Sequence, residues 1–434
     1  MVVQQVNNLP FEQLVTDTLN GKTGGWHGEL IERALKSYAE TGWPGQKTES
    51  WKYTSLNKLA SSSFSLTKDF SAVVPEDMVM PLACPRLVLV NGVLNRKLSN
   101  IEQLNGDLSL TSLVDIKDHQ KSFFDDLFQK EGAKEGLPLT YLNTGILSDA
   151  VLLDVAEGSK CVMPLHIISI GSGNGITFAP RLIVNVGEGA RVDIIESHVG
   201  CSNSIYFSNA VTQIYLSDKS KVGHYKLQND SRESSHIGLT KAVINEAASY
   251  DNFTMSVGGK LSRNEVRAHL KGSGVECCIN GAYLGSSDQH IDNTTFIEHR
   301  AEGSSSREVF KGVLDDTARG VFQGKILVHR EAQKTDGYQM NRAMLLSDKA
   351  EIDSKPELEI YADDVRCSHG ATVGELEDDL IFYLCARGID RESARRMLIG
   401  AYISDAIDEV KNIDVRASIQ NVAENWLKQN LYEK

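Results

Sequence analysis

The sequence predicts a mainly β protein, a β-helix core flanked by N-terminal and C-terminal α-helical domains. Three observations carry this reading. Turn-then-strand units start near Glu188-Gly189-Ala190, Asp218-Lys219-Ser220, Glu246-Ala247-Ala248, Lys271-Gly272-Ser273 and Glu302-Gly303-Ser304. Their spacing is roughly 26 to 30 residues, a range typical of solenoids. Between 150 and 365 no helix-length periodic segment interrupts them, which disfavours alternating β/α folds. Helical periodicity instead marks the two ends of the chain. In a β-helix each rung hydrogen-bonds to the next and only the ends need covering, so the terminal helices are expected to serve as caps.

The first 80 or so residues read as mainly helical. Pro10-Phe11-Glu12-Gln13-Leu14-Val15 opens one amphipathic segment and residues 29–36 continue the pattern, with Gly21, Gly24 and Gly25 breaking the chain between them. Trp51 and Tyr53 sit in a polar setting and are expected to anchor a loop on this helical core. At residues 86–94 the signal turns to strand, and Asn91-Gly92 between apolar residues predicts a hairpin. A mixed, partly helical stretch runs from about 101 to 150. The N-terminal region is therefore assigned to 1–150, with its hairpin near 86–98.

The core is assigned to 151–375. Its strands are short alternating runs such as Leu182-Ile183-Val184-Asn185-Val186 and Val309-Phe310-Lys311-Gly312-Val313-Leu314. The Gly171-Ser172-Gly173-Asn174-Gly175 run lacks dinucleotide-binding spacing and reads as a solenoid turn. The C-terminal domain, 376–434, is helical. Glu377-Asp378-Asp379 place acids at a helix start, and Arg387-Gly388 supply a basic residue and a glycine stop. Asp390 reads as the N-cap of a longer helix carrying Ala394, Met397, Leu398, Ala401, Tyr402 and Ile407. A third segment, 415–431, includes Ile419, Val422 and Trp426, a stripe expected to pack on its neighbours. Removing this domain is expected to leave the β-helix folded.

A chain of 434 residues is long enough for two or three domains. Its formal net charge of -13 argues against nucleic acid or an anionic membrane as partner. The first ten residues lack the basic region and apolar core of a secretory signal, and no apolar run is long enough to span a membrane. A cytoplasmic location is expected. The seven cysteines are scattered, with no Cys-x-x-Cys, which speaks against both a disulfide framework and a zinc knuckle. Outside the run considered next they are expected to be reduced and buried, with Cys277 and Cys278 on opposite strand faces.

The most informative run is Ile360-Tyr361-Ala362-Asp363-Asp364-Val365-Arg366-Cys367-Ser368-His369-Gly370-Ala371-Thr372-Val373-Gly374. In a strand, residues i and i+2 share a face, so the Cys367 thiol and His369 imidazole would project side by side. That pair suits iron or zinc. Two ligands cannot close a tetrahedral site, and no other cysteine or histidine cluster in the sequence completes it. No phosphate-binding loop, nucleophile elbow or His-Glu-x-x-His motif occurs, so nothing argues for an enzyme with its own active site.

Residues 334–388 resemble the SufB/SufD family of the SUF iron–sulfur cluster assembly system. The residues that carry this are Lys334-Thr335-Asp336-Gly337, Lys355-Pro356-Glu357-Leu358-Glu359-Ile360-Tyr361-Ala362-Asp363-Asp364-Val365, Cys367-Ser368-His369-Gly370-Ala371-Thr372-Val373-Gly374 and Ile381-Phe382-Tyr383. Glu49-Ser50-Trp51-Lys52-Tyr53-Thr54 resembles the family's N-terminal element. The resemblance implies a right-handed parallel β-helix flanked by helical domains, in a non-catalytic scaffold subunit that binds no nucleotide itself. It implies a heterodimer with SufB, docking of the ATPase SufC on the C-terminal helical domain, and a transient iron–sulfur cluster shared at the SufB interface. His369 matches the family's proposed cluster-site histidine and Cys367 is the cysteine beside it. Where SufB carries a cluster cysteine and a glutamate, this chain aligns Arg342 and Gly370, which places it on the D-type branch. The sequence does not fix the cluster type, or whether two copies pair when the partner is missing.

Two other readings compete. One is a purely structural partner of SufB and SufC with no metal contact. The other is a carbohydrate-active β-helix enzyme using Asp315-Asp316 or Asp363-Asp364, although adjacent acids in a strand point to opposite faces.

Overall fold

Alternation of apolar and polar residues over runs of ten gives strands buried on one side, and in this chain almost every such run is paired on both edges. The computed structural model describes residues 9–20, 26–100, 107–116, 137–201 and 203–431. Gly21, Gly24 and Gly25 and much of the 101–150 stretch lie outside these residues. From Val151–Val155 to Arg366–Glu375 the chain winds a parallel β-solenoid of about eight rungs. Each rung gives one strand to each of two sheets, and every strand pairs in parallel with its counterpart one rung on. Register is strict over the last rungs: Thr240 pairs with Val266, Val266 with Thr295, Thr295 with Gly324 and Gly324 with Pro356.

The repeating turns explain the register. Gly189, Lys219, Ala247, Gly274, Gly303 and Lys334 all have φ between 52° and 69°, one per rung at the same corner. Each donates its N–H to a carbonyl of the next rung, on Asp218, Glu246, Ser273, Glu302, Gln333 and Asp364 respectively. Glycine takes this conformation freely, whereas Lys219, Ala247 and Lys334 adopt it at a cost.

Inside the solenoid the two sheets meet in one apolar core that includes Val184, Val192, Ile214, Ile279, Phe310, Phe322 and Ile326. The outer face of one sheet is covered by the N-terminal helices: Leu30, Ile31 and Leu35 of Trp26–Thr41 pack with Leu142 against Ile183, Phe207 and Ile237. Trp51 anchors a short turn between these helices and the sheet, its ring 4.0 Å from the Arg263 guanidinium of the solenoid. Arg263 is fully buried and pairs with Asp292 and Glu265. The anchor is thus a solenoid arginine as much as the helical core.

The C-terminal helices, Asp378–Cys385, Arg391–Ile407 and Ile413–Leu431, fold back over the outer face of the other sheet. Ile399, Ile403, Ile407, Ile419 and Trp426 pack there on Ile195, Leu227, Phe253 and Leu284. Asp390 caps the second helix by accepting the Ser393 N–H at 2.9 Å, and Gly388 (φ 85°) ends the first. The buried stripe of the second helix is Ala394, Ile399, Ile403, Ala406 and Ile407, while Met397 is half exposed. Of the apolar residues expected on this helix, Ala394 and Ile407 are among those buried. Truncation at 376 would bare the apolar sheet face, so these helices belong to the folded body.

Among the described residues, the helices cover the sides of the solenoid and not its ends. The first end is closed by strands: Arg86–Val90 continues one sheet in parallel and Leu108–Ser112 continues the other antiparallel. The Asn91-Gly92 hairpin forms, with both residues at positive φ. At the far end, Glu351–Ile360 and Arg366–Glu375 are the last strands of their sheets, and among the described residues no further strand pairs with them. All seven cysteines are free, but only Cys277 is fully buried, in the core, while Cys278 lies on the other face and the rest are half-buried.

Candidate metal centre at the open end of the solenoid

The last rung owes its character to what does not follow it. Neither Glu351–Ile360 nor Arg366–Glu375 contains a fully buried residue. Their free edges carry unpaired backbone groups, which other chains can add to. Among the exposed apolar side chains here are Tyr361 (58%) and Val373 (54%).

Register places Cys367 over Gly337 and His369 over Gln339, positions that face the lumen one rung earlier. Gly337 makes room for the thiol: a Cβ there would lie 3.2 Å from Cys367 Sγ. The thiol packs on the core, and burial raises its pKa despite the Gly337 N–H directed at it. His369 is exposed. The chain therefore presents one exposed imidazole and one half-buried, protonated thiol on the same strand face. Among the described residues no group of three or more His, Cys, Asp or Glu could hold a metal ion. Of the two candidate ligands, the imidazole is the accessible one.

The acidic pairs do not converge on this site. Asp364 is held in the corner by its backbone, its carbonyl accepting from Lys334 N–H and its N–H donating to Gln333 Oε1. Asp316 caps the opposite corner, where its carboxylate accepts from the Ser287 N–H at 3.0 Å. Each holds a turn. Arg342 lies on the outer face and lines a groove of about 470 Å³ with Met344, Val373, Leu380 and Tyr402, between the last strands and the C-terminal helices. Beside that groove, Phe382 (74%) and Tyr383 (54%) are exposed on Asp378–Cys385, a helix that buries only Ile381.

Sequence reasoning missed the polar interior. In the early rungs Glu196 sits among Thr212, His198, His224 and Lys226, all buried. Burial raises the Glu196 pKa, but the Lys226 charge and hydrogen bonds from His198 and His224 outweigh it and hold the carboxyl ionised. Nearer the open end, burial raises the Glu308 pKa to about 7. Glu308, Gln339 and His369 occupy one position in three successive rungs, a relation that the strand register reveals.

Comparison with known proteins settles the family. Residues 168–402 match the family model described as SUF system FeS cluster assembly, SufBD core domain, and residues 28–167 match the SufBD protein N-terminal region. The chain belongs to the SufBD family. Among its SufBD relatives, the iron–sulfur cluster assembly protein SufD of Escherichia coli is 30% identical over 89% of this chain and 90% of its own. A SufBD family protein of Synechocystis is 31% identical over 85% of this chain and 84% of its own. A chloroplastic protein of Arabidopsis thaliana is 28% identical, covering 90% and 85%. This SufBD protein is an iron–sulfur cluster assembly family member similar to SufD. None of its described helices is long and apolar enough to cross a membrane.

Proposed function

We propose that this protein is a cytoplasmic, non-catalytic scaffold subunit of the SUF assembly complex. It pairs with SufB through the open end of the solenoid and carries the ATPase SufC on its C-terminal helices. To a transient iron–sulfur cluster formed between the chains it gives His369 as a ligand, with Cys367 beside it. The single observation that supports this best is the bare last rung, where an incomplete ligand set lies on an edge that invites strand pairing. The exposed Phe382 and Tyr383 beside the 470 Å³ groove support the helical face as a docking surface.

A ligand imidazole binds in its neutral form, so acid should weaken cluster loading. Anaerobic reconstitution of the assembled complex with His369→Ala is the direct test. Loss of most of the bound iron and its visible absorption is expected, and unchanged content defeats the ligand role. One observation favours the second reading, a structural partner without metal contact, for Cys367: its thiol is packed on the core and its pKa is raised. Cys367→Ser with full cluster content would assign that residue to packing.

A further inference from the structure

One column of lumen-facing side chains leads from the interior to the candidate ligand. Glu308 pairs in register with Gln339, and Gln339 with His369. Glu308 and Gln339 are fully buried. Gln339 gives its amide N–H to Glu308, with Nε2 donating to Oε2 at 2.7 Å. Its carbonyl oxygen, sealed from solvent, has no hydrogen-bond partner. Space for this amide is provided across the lumen by Gly324, where a Cβ would fall on the Gln339 side chain. A buried amide with one end committed and the other unspent needs an explanation, because buried acceptors are nearly always paired.

The residue standing over that amide is His369, which is exposed. An imidazole that binds a metal through one nitrogen carries its proton on the other, and an acceptor there fixes tautomer and ring orientation. We infer that Gln339 is the positioning residue for His369, with its Oε1 accepting the imidazole N–H, and that Glu308 holds the amide in the orientation that leaves Oε1 free. This rests on the reading of His369 as a cluster ligand. The Cys-x-His run then has its supporting acceptor in the preceding rung, built into the solenoid.

The test uses the full chain labelled with ¹⁵N in its histidine rings, with His369 assigned by the signal that disappears in His369→Ala. Long-range ¹H–¹⁵N correlation reads its tautomer without any metal. One dominant tautomer is expected for the natural sequence, a mixture for Gln339→Leu, and recovery of the dominant form for Gln339→Glu, which keeps an acceptor. An unchanged tautomer in a folded Gln339→Leu chain overturns the inference, as does failure of Gln339→Glu to differ from Gln339→Leu. In the assembled complex, Gln339→Leu should weaken iron retention about 10- to 100-fold. Failure of the ligand reading looks different: His369→Ala would keep its cluster while Gln339→Leu still scrambled the tautomer.

Discussion

The two ends of the solenoid have similar strands and opposite fates. At the first end, Arg86–Val90 buries Leu87, Val88 and Val90 completely. At the last, Arg366–Glu375 leaves every residue at least partly open. The difference comes from the chain that precedes or follows. Before the first rung, a hairpin and an antiparallel strand complete both sheets. After the last, the chain turns into Asp378–Cys385 and folds back along the side. A closed end finishes the fold, and an open end specifies what can be added.

The comparison breaks most easily at side chains with matched roles. Leu87→Ala at the closed end should cost about 2–5 kcal/mol, because it leaves a cavity in a packed layer. Val373→Ala at the open end should cost the isolated chain less than about 0.5 kcal/mol. Denaturant unfolding of both variants checks this, and equal losses would mean that the last rung is packed in solution.

A pH series sharpens the contrast between interiors. Folded Glu308 keeps its proton up to about 7, whereas an ordinary glutamate loses it near 4.5. Between those values the folded chain binds more protons, so this group removes stability as pH rises, by about 3 kcal/mol in all. Burial holds His166, His236 and His299 at about 4, 3 and 4, so there the unfolded chain binds more protons and stability falls as pH drops below 6.5. Glu308→Gln should therefore gain on the natural sequence between about pH 5 and pH 8, read from denaturant midpoints, while keeping the acid loss. The smallest effect belongs to the corners. Lys334→Gly should stabilise the chain by about 0.5–1 kcal/mol, seen as a higher melting temperature, because Lys334 sits at φ 60°.

The solenoid was legible because its signals are local and repeated. Turns of acidic, glycine, alanine and serine residues and ten-residue strands recur rung after rung, and Asn91-Gly92 fixes its hairpin within two residues. The role of the terminal helices was not. An amphipathic stripe says that a helix packs, but not on which surface, and Met397 and Ile399 put apolar residues on opposite faces of the helix, so composition does not choose the buried one. At the candidate site the Cys367–His369 pair was visible as a motif. Its surroundings required the register, because Gly337, Gln339 and Glu308 become neighbours only when strands 30 or 31 residues apart align.

The corner ladder also gives the molecule a unit of length. Each rung advances the solenoid by one strand spacing, about 4.8 Å. The C-terminal helices are fastened to the side wall from Ile195 to Val313, while the open edge lies at the end of the count. The span between them can change only by whole rungs, since a fractional insertion would turn inward residues outward. The protein is a ruler with fixed graduations, and the number of repeats decides how far the open edge lies from the first rung that the C-terminal helices cover.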